Sequence, residues 1–276
     1  MADDSVLDPL YVAARGVLLD ALTLLSPHLA AVVVVGAQAV YLRTGPGEVG
    51  ITIAPYTTDG DLAVDPILLG SEPDLEALME EGFEADHPGM WAKTVRIGGE
   101  DIVVPVDLIV PEGASSGAGR RAARIPPHGK RAARRAVGLE AALVDHGPLT
   151  VTPLDPTDTR QVTVEVAGLA ALLVAKAHKI HDRLEGGRPD RLSDKDAADV
   201  YRIMQTVRPA DLGATIAELL VDPRSSAVTG QAMAYTKDLF GRRAGDGVVM
   251  AQRALQLAVD PDQVAALCVA FTEGLA

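Results

Sequence analysis

The amino-acid sequence predicts an α+β chain, with a mixed-sheet domain over residues 1–155 followed by a mainly helical domain over residues 156–276. Three observations carry this. Short β-branched runs bounded by turn residues are concentrated before Gly168, whereas apolar spacing after it is helical almost to the end. Between the two patterns, Leu154 to Arg160 gathers proline, aspartate and threonine, as a linker does.

The elements follow in order. Leu7, Leu10, Ala14, Val17, Leu18, Ala21 and Leu25 recur at helical spacing, and Pro27 helps end that helix. Ala31 to Val35 reads as a buried strand closing at Gly36, with a helix over Ala37 to Arg43 behind it. A second strand spans Asp59 to Val64, and a short acidic helix spans Pro73 to Glu81. Met90–Ile97 and Ile102–Val110 form a hairpin about Gly98-Gly99. A helix is expected over Lys130 to Val144, then strands at Leu149–Thr152 and Gln161–Val166. The helical pattern beyond is interrupted at Gly186-Gly187, Pro209, Pro223, Gly245 and Pro261.

Composition narrows the classes of function. The 276 residues are 48% hydrophobic but only 3% aromatic, so the core is aliphatic. No apolar run approaches the roughly 20 residues of a membrane helix. The first residues, MADDSVLDPL, are acidic where a secretory signal is basic. Cys268 is the sole cysteine, which excludes a disulfide framework and a thiolate zinc site. A cytoplasmic protein with no membrane partner is the expectation. A net charge of −13 disfavours indiscriminate nucleic-acid coating. The charge is uneven, however: Arg120, Arg121, Arg124, Lys130, Arg131, Arg134 and Arg135 lie together without an acid among them. They form either a solvated face or a patch for a triphosphate or an RNA.

Chemistry gathers at Asp59-Gly60-Asp61. On a strand these carboxylates point the same way, and they repel unless a cation lies between them. Magnesium suits that place, because it takes oxygen ligands and keeps sites open for phosphate oxygens. Asp107 interrupts an apolar strand, Ile102 to Val110, and needs a partner there. A metal shared with Asp59 and Asp61 is one; an exposed strand face or a salt bridge to an arginine are the others. Gly36, at a strand-to-helix turn, lets backbone N–H groups approach phosphate. In the helical half, Lys176 falls on the stripe of Leu169, Leu172, Leu173, Ile180 and Leu184, where it must snorkel out or meet an anion. Asp196 either closes a capping box with Ser193 or serves a site, and the two are compatible. Asp199 reads as a solvated helical acid, and His178 and His181 as polar-face residues near phosphate. No nucleophile elbow, P-loop or zinc-protease motif occurs.

Taken together, the order strand–Gly36, Asp59-x-Asp61, then Asp107 resembles the DNA polymerase β-like nucleotidyltransferase superfamily. Tyr56-Thr57-Thr58-Asp59-Gly60-Asp61-Leu62, Leu172-Leu173-Val174-Ala175-Lys176, Arg183 and Lys195-Asp196-Ala197-Ala198-Asp199-Val200 look like the AbiEii-type toxin nucleotidyltransferases of type IV toxin–antitoxin and phage-defence systems. The resemblance covers Val32 to about Ile203. It implies a nucleotidyltransferase-fold core and a helical domain that contributes to the active site. It implies Mg2+ on Asp59, Asp61 and Asp107, in a one- or two-metal site, with a nucleoside triphosphate (NTP) as substrate. Gly36 and Ala37 would meet the phosphates, Lys176 would contact the triphosphate, and Asp196 would support the site. The acceptor would be RNA, tRNA among them, or protein, and an antitoxin would be the partner. Two departures stand out: Ala37 replaces the usual Ser or Gly, and the stretch before Asp59 carries an insertion around Gly45 to Pro55. They keep open a catalytically silent nucleotide- or partner-binding protein on the same fold, beside a small-molecule nucleotidyltransferase of the antibiotic-modifying kind.

Overall fold

The computed structural model describes residues 7–45, 56–115, 122–186 and 194–275. Arg120, Arg121, Ser193 and all of the expected insertion beyond Gly45 lie outside the described residues. The chain is α+β, and it divides into two compact units. One comprises residues 1–42, 54–136 and 146–167; the other comprises 43–53, 137–145 and 168–276.

The first unit is built on a mixed sheet. Its helix α1 (Pro9–Leu24) starts at Asp8, whose side chain accepts from the Leu10 N–H, with Pro9 at the first helical position. Strand β1 (Val32–Val35) is buried at every residue, which explains its unbroken valine run. The helix α2 (Gly36–Thr44) leaves it directly. Next come β2 (Gly60–Val64), α3 (Leu75–Glu80), β3 (Glu84–His87), β4 (Met90–Ile97), β5 (Glu100–Pro111), β6 (Arg134–Ala136), β7 (His146–Val151) and β8 (Val162–Ala167). The sheet order is β3-β4-β5-β2-β1-β8-β7, with β6 pairing β5 off that path. The β4–β5 hairpin forms as expected, with Ile97 opposite Glu100. β2 runs antiparallel to β1 but parallel to β5.

Packing fixes which face of the sheet each side chain takes. A Cβ on Gly60 would lie 3.3 Å from Leu18 Cδ1, so the Gly60 face of β2 looks onto α1. Alternation along the strand then turns Asp61 to the opposite face. Trp91, the chain's single tryptophan, is wholly buried and donates its indole N–H to the Ala132 carbonyl (3.2 Å). That bond ties β4 to the segment after His128. The same segment is clamped onto α3: His128 Nδ1 accepts from the Leu75 N–H (3.0 Å), and Asp74 and Glu76 accept from the backbones of Gly129 and Arg131.

The helix expected over 130–144 is not formed. Arg134–Ala136 pair instead with β5 as a parallel strand, Gly138 takes a φ of +88° that L-residues resist, and only a 3-10 turn, Glu140–Leu143, follows. The sheet unit also takes in β8, twelve residues beyond the expected boundary at 155.

The second unit is helical. It contains α4 (Leu169–Glu185), α5 (Asp194–Thr206), α6 (Pro209–Val221), α7 (Ser226–Phe240), α8 (Asp246–Leu255) and α9 (Pro261–Gly274). Gly168, which precedes α4, offers no side-chain cap, and Asp145 supplies one from 26 residues upstream of Ala171: its Oδ2 accepts from the Ala171 N–H (2.9 Å). The fit is close, since a Cβ on Gly168 would stand 1.9 Å from Asp145 Oδ1. Leu172, Leu173 and Ile180 of α4 and Val200 and Ile203 of α5 are buried, as their helical spacing predicts. Among the described residues, no helix is long and apolar enough to cross a membrane.

Candidate active site

The sheet unit brings Gly36, Asp61 and Asp107 together. Asp61 sits opposite Val35 on the antiparallel side and opposite Asp107 on the parallel side, all in register. In-register residues on neighbouring strands share a face and lie about 4.8 Å apart in the pairing direction. Asp61 and Asp107 are therefore adjacent carboxylates. Gly36 begins α2 with a φ of +68°, and a Cβ there would lie 2.1 Å from Asp61 Oδ2. Only glycine permits both that conformation and that approach. Ala37 follows as a buried residue of the first turn of α2. Its missing hydroxyl leaves backbone N–H groups as the donors at this helix start.

α2 is anchored by a buried guanidinium. Arg15 of α1 donates to Gln38 Oε1 (2.8 Å), to Tyr11 Oη (3.2 Å) and to the Thr152 carbonyl (3.2 Å). Burial draws its pKa below the ordinary arginine value, although Tyr11 partly offsets that.

Each carboxylate already has company. Both Arg134 Nε and an Arg134 terminal nitrogen donate to Asp107 Oδ2 (2.9 and 2.7 Å), while Oδ1 accepts from no described residue. The salt bridge to an arginine, one of the alternatives left by the sequence, is thus formed. Asp59 lies one residue ahead of β2 and accepts from Thr57 Oγ1 (2.5 Å), a buried hydroxyl. The donor chemistry fits magnesium: the groups are carboxylates, and a Cβ-free cradle at Gly36 meets Asp61. The fit is best for Asp61 and Asp107. Among the described residues, no three or more His, Cys, Asp or Glu side chains are grouped to hold a metal, so Asp59 does not complete a three-carboxylate cluster.

Three cations of the basic segment are ion-paired. Arg131 binds Glu76 (2.9 Å) and Glu80 (2.5 Å), Arg134 binds Asp107, and Arg135 binds Glu112 (2.8 Å). Carboxylates from α3, β5 and the turn after β5 neutralise these three charges, which lie close together in sequence.

Lys176 and Asp196 belong to the helical unit, where they form a closed network. Lys176 Nζ donates to Asp196 Oδ1 and Asp199 Oδ2, both at 2.6 Å, and all three residues are at most 3% exposed. Arg183 adds a 2.6 Å bond to Asp196 Oδ2, and Lys179 approaches Oδ1 at 3.2 Å. Burial alone would push the Lys176 ammonium toward deprotonation, but the charges of Asp196 and Asp199 outweigh it and hold the pKa above the ordinary lysine value. Burial likewise disfavours the Asp196 carboxylate, and Lys176, Lys179 and Arg183 more than reverse that. Asp199 is therefore not the solvated acid its helical position suggested. His178 is also buried: its Nε2 meets the Val228 carbonyl (2.9 Å), its ring lies edge-on to Tyr235, and Gly138 leaves it room. His181 stacks on the same tyrosine, with ring centroids 3.7 Å apart. His178 is therefore not the polar-face residue expected, whereas His181 remains partly exposed.

Comparison with protein-family models and with curated protein sequences finds no match to this chain.

Proposed function

We propose that the chain is a magnesium-dependent nucleotidyltransferase, moving a nucleoside monophosphate from an NTP to an acceptor hydroxyl on RNA, tRNA among them, or protein. The observation that carries this reading is the in-register pair Asp61 and Asp107 beside the glycine turn that opens α2. It matches the order of motifs by which the sequence resembles the DNA polymerase β-like nucleotidyltransferase superfamily; the resemblance to AbiEii-type toxins adds an antitoxin as the cognate partner, and the composition a cytoplasmic compartment.

In this mechanism the backbone N–H groups at Gly36 and Ala37 receive the phosphates, where the helix start favours negative charge. Asp61 and Asp107 would hold magnesium, with Asp59 not grouped with them, and the metal would supply electrostatic relief to the triphosphate. The acceptor hydroxyl attacks the α-phosphorus in line. A new phosphorus–oxygen bond forms, the bond to the β-phosphate bridge breaks, and pyrophosphate leaves. Asp107 Oδ1 takes the acceptor proton where it does not itself hold the metal. Arg134 holds Asp107 by Oδ2, leaving Oδ1 turned to this task. Lys176 and Asp196, buried as they are, act as positioning residues of the helical unit and not as groups that touch substrate.

A second reading is a catalytically silent nucleotide-binding protein on the same fold. The Arg134 pairing and the absence of a grouped third carboxylate among the described residues favour it. The test is pyrophosphate release with magnesium and each NTP, with and without total tRNA, beside Asp61→Asn. Release that needs Asp61 supports the transferase, and dependence on tRNA assigns the acceptor. Saturable NTP binding without release under any condition would establish the silent reading instead.

A further inference from the structure

How many ions the site takes follows from what surrounds Asp107, and one cation there is built in. Arg134 stands in β6 opposite Ile109 of β5, two residues from Asp107, so strand alternation turns both side chains to one face. Its backbone is held on the other side as well: Ala122 bridges Arg134 in the antiparallel sense, and the Ala123 N–H donates to the Ala133 carbonyl (2.9 Å). Gly89 makes the room. A Cβ there would stand 2.1 Å from the Arg134 backbone nitrogen, and the Gly89 N–H donates to the Arg131 carbonyl (2.8 Å). A surface arginine that met Asp107 by chance would need none of this.

Asp107 does not use the whole guanidinium. Nε and Nη2 both donate to Asp107 Oδ2 (2.9 and 2.7 Å), whereas Nη1 donates to no described residue. The Arg134 side chain is 29% exposed, and Nη1 is not among the buried polar atoms that lack a partner, so a ligand can reach it. A planar guanidinium holds a carboxylate along one edge and still offers its remaining nitrogen to a phosphate oxygen. The second ion of a two-metal site makes the same bridge, from carboxylate to phosphate.

Charge gives the same answer. The Asp61–Asp107 pair with its guanidinium carries a single net negative charge, and one divalent ion already reverses it. A second ion would stand beside a fixed cation and be repelled. Resting on the transferase reading above, we propose that the Asp61–Asp107 pair takes one divalent ion and that Arg134 serves as the second cation, donating from Nη1 to a triphosphate oxygen. The Arg134–Asp107 bridge is then a working part of the site and not a sign of silence.

Two titrations of the intact chain test this. Bound Mn2+ is counted from the loss of the free-ion electron paramagnetic resonance signal: wild type should bind one ion, and Asp61→Asn none over the same range. Inorganic tripolyphosphate, added as its 1:1 magnesium complex, is then titrated calorimetrically. Arg134→Gln should weaken it about 10-fold, the size of one charge-assisted hydrogen bond. Excess Mg2+ should restore the affinity of that variant, because a second ion can now take the place of the guanidinium, and should leave wild type unchanged. Trp91 emission is the folding control, since the indole binds the Ala132 carbonyl in the segment that carries Arg134. Two Mn2+ in wild type, or an unchanged affinity in Arg134→Gln, overturns the role of Arg134 and leaves the transferase reading standing. A weakening that excess Mg2+ does not restore makes Arg134 a support for Asp107 alone, and that also overturns the proposal. No Mn2+ bound to wild type overturns the magnesium reading and this inference with it.

Discussion

The two groups of aspartates in this chain use the same side chain in opposite ways. In the sheet unit, Asp61 and Asp107 stand side by side on neighbouring strands, and Asp107 keeps one oxygen without a described partner. In the helical unit, Asp196 and Asp199 are sealed against Lys176, with Arg183 and Lys179 closing the ring around Asp196. Adjacent carboxylates, one of them with an oxygen that has no described partner, store repulsion that a cation can relieve, which is a binding arrangement. Buried carboxylates with full partners hold a geometry and have little left to offer a ligand. Proximity of acids to one another is thus a weaker sign of a site than the completeness of their pairing.

The largest effect that would sharpen this contrast is on stability. Lys176→Met should destabilise the helical unit by about 3–5 kcal/mol, because two buried carboxylates lose their shared cation. Urea denaturation measures it, and a loss under about 1 kcal/mol would show that the network is not the strut described here. Asp61→Asn should behave inversely. Pyrophosphate release should fall by roughly 10²–10³-fold, the scale of removing one preorganised electrostatic group, with the urea midpoint nearly unmoved. Equal rates in the two proteins would remove Asp61 from the chemistry.

Gly36→Ala should cost roughly 1–2 kcal/mol for its left-handed backbone alone, and the displaced Asp61 carboxylate adds to that. A crystal structure of that variant with Asp61 unshifted would contradict the close approach. The pH dependence separates the two regions again. The Asp196 pKa is depressed in the folded chain, so its contribution is present above the ordinary aspartate value of 3.8 and fades as pH falls below it toward the folded pKa. The stability difference between wild type and Asp196→Asn should therefore be flat from pH 5 to 9 and shrink below about 3.8. A difference that grows on acidification has the wrong sign. The smallest effect belongs to Arg134→Gln, a half-exposed pair whose loss should change stability by no more than about 1 kcal/mol. If Arg134 holds back the metal, Mn2+ should bind the variant more tightly; weaker binding would make Arg134 a supporting group instead.

Much of this was legible in the sequence where the signal is local. The valine run of β1, the Gly-Gly hairpin and the helical stripe of α4 follow from periodicity and turn chemistry, and all three formed. Asp59-x-Asp61 and Asp107 could be singled out because a charge in an apolar run is a local anomaly. Partners that come from far along the chain could not be read. Arg134 is 27 residues from Asp107, and Asp145 caps α4 from 26 residues before Ala171. The basic segment misled for the same reason. Seven cations without a nearby acid suggested a helix with a charged face, but the neutralising Glu76, Glu80, Asp107 and Glu112 arrive through tertiary structure. Asp199 and His178 were misplaced because helical spacing shows which residues share a face and not what covers that face.

The placement of Trp91 has an optical consequence. It is the only indole in the chain and lies at zero exposure against β5 and the Ala132 carbonyl, so near-ultraviolet emission reports on the sheet alone. Ellipticity at 222 nm is dominated by helices, six of which lie in the other unit. The native molecule therefore carries two separate gauges, and melting curves from them that fail to coincide would show the two units unfolding as independent bodies.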